Sequence, residues 1–75
     1  MVSESDFLAF VAGVLDVSTN EITMDSEQND VEQWDSMGHL RLIMEVQGEY
    51  GVQIPLVDFK AIRTVRDLYS RVVSK

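Results

Sequence analysis

Residues 35–46 read DSMGHLRLIMEV and carry the strongest structural signal in the chain. Leu42, Ile43 and Val46 recur at helical spacing, so the pattern predicts a helix that begins at Asp35 or Ser36. The start of a helix has unpaired backbone N–H groups and the positive end of the helix dipole, which together favour a phosphate. Ser36 is therefore well placed to carry a phosphodiester, although a serine at this position is usually only a helix cap.

The helix is expected to run to about Tyr50, which falls on the same inward face as Leu42, Ile43 and Val46, and to end at Gly51. Three further apolar residues, Met37, Leu40 and Met44, fall on a stripe beside the inward face. Two interpretations are open at this point. The stripe either widens the buried face or forms an adaptable binding surface, for which methionine is well suited.

Helical spacing also marks a first and a last helix on either side of this central one. Ser3 or Ser5 is expected to cap the first helix, and Gly13 within it is expected to mark a close contact. Thr64 begins a sequence that resembles a capping box ahead of the last helix. The predicted buried residues are Phe7, Phe10, Val11, Val14 and Leu15 in the first helix, and Val65, Leu68, Tyr69, Val72 and Val73 in the last.

Two irregular segments connect these helices. Residues 16–34 form a long polar loop, in which Val17, Ile22, Met24, Val31 and Trp34 are the residues able to reach the core. After Ile54-Pro55, which favours extended backbone, a short helical segment is expected from Leu56 to Ala61, with Phe59 and Ile62 as core anchors. The predicted fold class is all-α, a bundle of three main helices and one short one.

Composition narrows the classes of function. The 75 residues correspond to one small domain, 1–75, with a net charge of -7, which argues against nucleic acid and anionic membranes as partners. The chain has no cysteine and therefore no thiol of its own. It has no signal-peptide pattern and no run of about 18 apolar residues, so we expect a cytoplasmic location. We also expect the protein to be a monomer.

Catalytic and metal-binding arrangements fit the sequence poorly. Asp35, Ser36 and His39 lie within one helical turn, where they cannot form a nucleophilic triad. The acidic loop from Asp25 lacks the glycine and the glutamate of an EF-hand at their required positions. We therefore expect no catalytic residues, no metal site and no enzymatic activity.

The Asp35-Ser36-Met37 sequence closely resembles the signature of the acyl carrier protein family. The similarity extends through Leu42, Met44, Glu49, Tyr50, Ile54-Pro55 and Ile62-x-Thr64-Val65-x-Asp67, and covers the chain from about Phe7 to Val73. It implies a four-helix bundle with a long first loop and a short third helix. It further implies that Ser36 receives 4′-phosphopantetheine from coenzyme A, making the chain a phosphoprotein whose arm holds acyl groups as thioesters.

The resemblance also implies partners and the residues that meet them. A magnesium-dependent phosphopantetheinyl transferase would recognise Asp35, and acyl-loading, chain-extending or acyl-transferring enzymes would contact Met37, Leu40 and Met44. We also expect Arg41 to lie at the partner surface.

Several residues depart from the pattern of fatty-acid carriers. The central helix is less acidic than in those carriers, and Trp34, Gly38 and Leu56 stand where other residue types are common. With these departures the sequence resembles stand-alone carriers of specialised pathways, such as polyketide, lipopeptide or surface-glycolipid assembly. It resembles the carriers of housekeeping fatty acid biosynthesis less closely. The alternatives are a peptidyl or aminoacyl carrier, and a helical interaction module that carries no arm.

Overall fold

A computed structural model describes residues 2–74, which form an all-α four-helix bundle with a long first loop. The main helices are α1 (Glu4–Leu15), α2 (Ser36–Tyr50) and α3 (Val65–Val73). A short 3-10 helix, Leu56–Ala61, lies between α2 and α3, and we call it the fourth helix. Two shorter 3-10 turns, Thr19–Glu21 and Gln28–Asp30, lie in the loop. The predicted fold class is confirmed.

The helix ends follow local rules that are visible in the sequence. Ser3 caps α1, and its hydroxyl accepts a hydrogen bond from the Asp6 N–H at 3.0 Å. Gly51 ends α2 in the left-handed region, with φ of 65°. Thr64 and Asp67 form a complete capping box at the start of α3. Each cap pairs backbone groups that the helix itself leaves unsatisfied.

The core contains most of the apolar residues expected from the sequence. Ala12 joins it although it was not predicted, and Val73 is exposed. Five predicted core residues are only partly buried and pack against the cluster: Phe10, Val14, Tyr50, Phe59 and Tyr69. The prediction of a close contact at Gly13 is wrong, because a Cβ added there would meet no atom within 4 Å.

The long loop is fixed to the bundle at several points. Ile22, Met24, Val31 and Trp34 are buried, as predicted, and Val17 is partly buried. Backbone pairing adds to this, because Glu27 and Thr64 form an antiparallel β-bridge. The Arg66 N–H also donates to the Met24 carbonyl at 2.8 Å. These bonds hold the loop against the start of α3.

An aromatic cluster packs around the last turn of α2. The Phe7 ring lies 5.6 Å from the Tyr50 ring and 5.4 Å from the Tyr69 ring, measured between centroids. Phe10 meets the Tyr50 ring edge-on at 5.4 Å. Such tilted and edge-on arrangements are the favoured geometries for aromatic pairs. They join α1, α2 and α3 at the end of α2 that lies farthest from Ser36.

None of the helices within residues 2–74 has the length and apolar character needed to cross a membrane.

Candidate functional site

Ser36 is the first residue of α2, and its side chain is exposed. Asp35 is the N-cap, and its Oδ1 accepts a hydrogen bond from the Gly38 N–H at 2.7 Å. The Asp35 carbonyl accepts the first helical hydrogen bond, from the His39 N–H, at 2.8 Å. Among the described residues the Ser36 hydroxyl makes no hydrogen bond. The capping role considered for Ser36 therefore belongs to Asp35, and the serine oxygen is accessible.

An open cleft of about 480 Å³ lies beside Ser36. Its walls come from the loop, from the first turn of α2, from the fourth helix and from the segment that joins that helix to α3. The residues that line it are Glu27, Gln28, Asn29, Ser36, His39, Phe59, Lys60, Ile62 and Arg63. Most of these side chains are polar, and Phe59 and Ile62 supply its apolar part. The cleft can therefore accept an elongated group that carries both amides and charge.

His39 connects three parts of this site. The Trp34 indole Nε1–H donates to His39 Nδ1 at 2.9 Å, and His39 Nε2 lies 2.8 Å from the Phe59 carbonyl oxygen. The Trp34 and His39 rings also contact each other, with centroids 5.9 Å apart. His39 is partly buried. The sequence gives no sign of its hydrogen bonds, since Phe59 lies 20 residues away.

Gly38 is required by a close approach of the loop to α2. A Cβ at this position would lie 2.6 Å from the Gln33 carbonyl oxygen and 3.2 Å from Asp35 Oδ1. The first distance is too short for any side chain to fit without movement of the backbone. Gly38 is one of the departures from the fatty-acid carrier pattern, and it is thus explained by packing against the loop just ahead of Ser36.

Exposed apolar side chains surround the site. Met37, Leu40 and Met44 are 76%, 44% and 58% exposed. The interpretation that they widen the core is therefore wrong. Leu56 and Val57 on the fourth helix are 74% and 86% exposed, and their exposure was not predicted from the sequence. We refer to these five residues as the exposed apolar set.

The basic residues fall into two groups. Arg66 pairs with Glu4 and Asp25, and Arg71 pairs with Asp58 at 2.9 Å. Within residues 2–74, Arg41, Lys60 and Arg63 form no ion pair. Lys60 and Arg63 line the cleft, and Arg41 is exposed on α2. Of the three cationic side chains without an ion pair in the described part of the chain, Lys60 and Arg63 thus lie in the same cleft as Ser36.

One carboxylate at the edge of the cleft has a shifted pKa. The Asp67 carboxylate accepts hydrogen bonds from the backbone N–H groups of Arg63 and Thr64 at 3.0 and 3.2 Å. The bond from Arg63 contributes most to holding the pKa of Asp67 below its usual value, and partial burial opposes it. Ionised Asp67 thus fixes the backbone that leads into the cleft.

Metal-binding residues are not clustered in residues 2–74, where no three acidic or histidine side chains are arranged to hold an ion. The acidic loop that begins at Asp25 is instead tied to the protein, because Asp25 pairs with Arg66.

A family model described as a phosphopantetheine attachment site matches residues 5–72. The match covers all the main helices almost completely, together with the loop and the cleft. The geometry fits the group that this family carries, since an accessible serine oxygen opens on a polar cleft with two cationic side chains. The chain belongs to the phosphopantetheine-binding acyl carrier protein family, whose members carry a covalently attached 4′-phosphopantetheine.

Proposed function

We propose that Ser36 is the attachment site and that the chain is a discrete, non-catalytic acyl carrier. The observation that supports this most directly is the accessible Ser36 hydroxyl, which is relieved of capping by Asp35. The serine also lies inside the matched family region. No other serine combines the first turn of a long helix with a position on the cleft within the described residues.

Attachment needs a separate magnesium-dependent phosphopantetheinyl transferase. The Ser36 oxygen attacks the phosphoanhydride of coenzyme A, its proton passes to a base of the transferase, and adenosine 3′,5′-bisphosphate leaves. Once attached, the arm supplies a thiol that holds acyl groups as thioesters. A chain without cysteine cannot provide this chemistry itself.

The charges around Ser36 support this assignment. The Asp35 carboxylate already lies at the start of α2. A second anion there is attracted by the helix dipole but repelled by this carboxylate. Lys60 and Arg63 line the same cleft and offset that repulsion. Gln28 and Asn29 offer side-chain amides to the polar groups of the arm. We therefore place the part of the arm nearest the serine in the cleft.

Partner enzymes are proposed to contact the exposed apolar set together with Asp35 and Arg41. The side chains of Met37 and Met44 can adapt to partners of different shape, because methionine is flexible and polarizable. Arg41 would meet an acidic group of a partner. A partner that docks here reaches Ser36 and the fourth helix at the same time.

The cargo is proposed to be an acyl intermediate of specialised biosynthesis, of the polyketide, lipopeptide or surface-glycolipid kind. The support is the small number of acidic residues on α2, where only Glu45 and Glu49 follow Ser36. A carrier that docks through a densely acidic helix would not place Arg41 and exposed apolar residues there. The aminoacyl carrier remains the competing member of the same family.

The first test is intact mass after incubation with coenzyme A, magnesium and a broad-specificity transferase. Cleavage after glutamate releases residues 33–45, in which Ser36 is the only hydroxyl-bearing residue. We expect a phosphopantetheine-sized gain on this peptide, no gain for Ser36→Ala, and full modification of the matched control Ser5→Ala. Modification of the Ser36→Ala protein would overturn the assignment. A folded, initially unmodified wild type that takes no arm would favour the arm-free interaction module.

A further inference from the structure

The hydrogen bonds of His39 define its protonation state. An indole N–H can only donate, so His39 Nδ1 must accept from Trp34. A carbonyl oxygen can only accept, so His39 Nε2 must carry the proton that it donates to Phe59. Both bonds are satisfied together only by the neutral imidazole with hydrogen on Nε2. We call this arrangement the Trp34–His39–Phe59 chain.

The Trp34–His39–Phe59 chain of hydrogen bonds joins three parts of the protein that lie around Ser36. Trp34 is 1% exposed and lies two residues before the serine, at the end of the long loop. His39 lies about one turn after it on α2, and Phe59 belongs to the fourth helix. Both His39 and Phe59 line the cleft. The two hydrogen bonds therefore link the loop, α2 and the fourth helix on the side of the cleft.

The fourth helix depends on a small number of such links. None of its six residues is fully buried, and two of them, Leu56 and Val57, belong to the exposed apolar set. Its other polar link to the bundle is the ion pair between Asp58 and Arg71. The bond from His39 is thus the polar link nearest to Ser36.

We propose that His39 is a positioning residue for the reactions at Ser36. It holds the fourth helix against α2 through the bond to the Phe59 carbonyl, so that the cleft and the exposed apolar set present one fixed shape to the transferase and to later partners. Loss of the side chain removes this bond, loosens the fourth helix and leaves the Trp34 indole N–H without its acceptor. The inference rests on the proposed function of Ser36.

Nitrogen NMR of the wild-type protein tests the geometry without any loading reaction. The whole protein has one histidine and one tryptophan, so the NMR signals of both rings can be assigned without ambiguity. We expect the Nε2–H tautomer for His39 in the wild type, and we expect the Trp34 indole signal to shift in His39→Phe, where the indole N–H loses its acceptor. An Nδ1–H tautomer, or an indole signal that does not respond, would overturn the proposal.

The kinetic test compares three proteins in the loading assay. His39→Gln keeps one acceptor and one donor but does not titrate, whereas His39→Phe keeps a ring and loses both hydrogen bonds. We expect the His39→Phe change to raise the KM for the carrier about three- to tenfold, the range for one or two hydrogen bonds, with kcat little changed. The His39→Gln change should restore most of that loss.

The split between KM and kcat separates positioning from simple structural support. An unchanged KM for folded His39→Phe, or a His39→Gln protein that recovers none of the loss, would overturn the proposal. Both outcomes differ from failure of the proposed function, in which Ser36 takes no arm in any variant.

Discussion

The two ends of α2 are built in different ways. At the far end, Tyr50 packs with Phe7 and Phe10 in an aromatic cluster that joins three helices. At the near end, Asp35 caps the helix and His39 binds the loop and the fourth helix through hydrogen bonds. The 15 residues of α2 separate these ends by about 22 Å. One end is held by apolar packing and the other by directional polar contacts.

We infer that the far end of α2 serves mainly stability and that the near end serves mainly the proposed function. Apolar packing is strong, non-directional and tolerant of small displacements, which suits the end that holds the helices together. Hydrogen bonds are weaker in net terms but fix orientation, which suits the end that must present Ser36 and the cleft. The exposed apolar set lies within the first nine residues of α2 and on the fourth helix. This part of the molecule thus leaves apolar area exposed, as the proposed partner contacts require.

The largest expected effect comes from breaking the far end. Phe7 is fully buried and contacts both Tyr50 and Tyr69, so Phe7→Ala should lower the free energy of unfolding by about 3–5 kcal/mol. A domain of this size has only a few kcal/mol to spare. Chemical denaturation followed by circular dichroism measures the loss.

The matched near-end variant is Ser36→Ala, which should leave the denaturation midpoint unchanged while abolishing loading. Folded Phe7→Ala, or the milder Phe7→Leu if the former does not fold, should still take the arm on Ser36. If Ser36→Ala proved as destabilising as Phe7→Ala, the division between the two ends would be wrong.

The sequence predicts the far end much better than the near end. Helical spacing places Phe7, Phe10 and Tyr50 on facing stripes, and local capping rules identify Ser3, Gly51 and Thr64. These signals lie within a few residues of the structure they specify.

The missed features of the near end depend on contacts between distant segments. The bond from His39 to Phe59 spans 20 residues, and no local pattern encodes it. The exposure of Leu56 and Val57 follows from how the fourth helix packs against the bundle. Gly38 could be understood only once the Gln33 carbonyl was located. Ser36 itself is predicted from its short signature, which needs no tertiary information.

A smaller effect is expected from closing the gap between the loop and α2. Gly38→Ala places a Cβ 2.6 Å from the Gln33 carbonyl oxygen, so the backbone ahead of Ser36 must shift. We expect a loss of about 1–3 kcal/mol in the free energy of unfolding, as for other overpacked sites. Loading of Ser36 should slow as well, because the displaced segment includes Trp34 and Asp35.

Gly13→Ala is the matched control, since it makes the same change in a helix with no atom within 4 Å of the new Cβ. It should stabilise the protein by about 0.5–1 kcal/mol through the helix preference of alanine. If Gly38→Ala gained stability as the control does, the loop at Gln33 would have moved aside at little cost. The near end would then be less rigid than its hydrogen bonds imply.

The smallest effect concerns Asp67, which fixes the backbone at the edge of the cleft. Because the Arg63 and Thr64 N–H groups hold the pKa of Asp67 below its usual value, its contribution to stability is complete above the unfolded-state value of about 3.9. That contribution is lost as the pH falls through the lower, folded-state pKa. The Asp67→Asn change should therefore cost at most about 1 kcal/mol at neutral pH, as expected for a weakened helix cap.

The two ends should respond differently to this change. Loss of the Asp67 bonds loosens Arg63 and Thr64, so hydrogen exchange should increase first at the N–H groups of residues 63–67 and of the paired residue Gln28. Exchange in the last turn of α2, beside the aromatic cluster, should not change at neutral pH. Below about pH 4 the wild type should approach the Asp67→Asn protein in stability, because the carboxylate becomes protonated. Equal changes at both ends would mean that the bundle opens as one cooperative unit and that the contrast between its ends lies in structure alone.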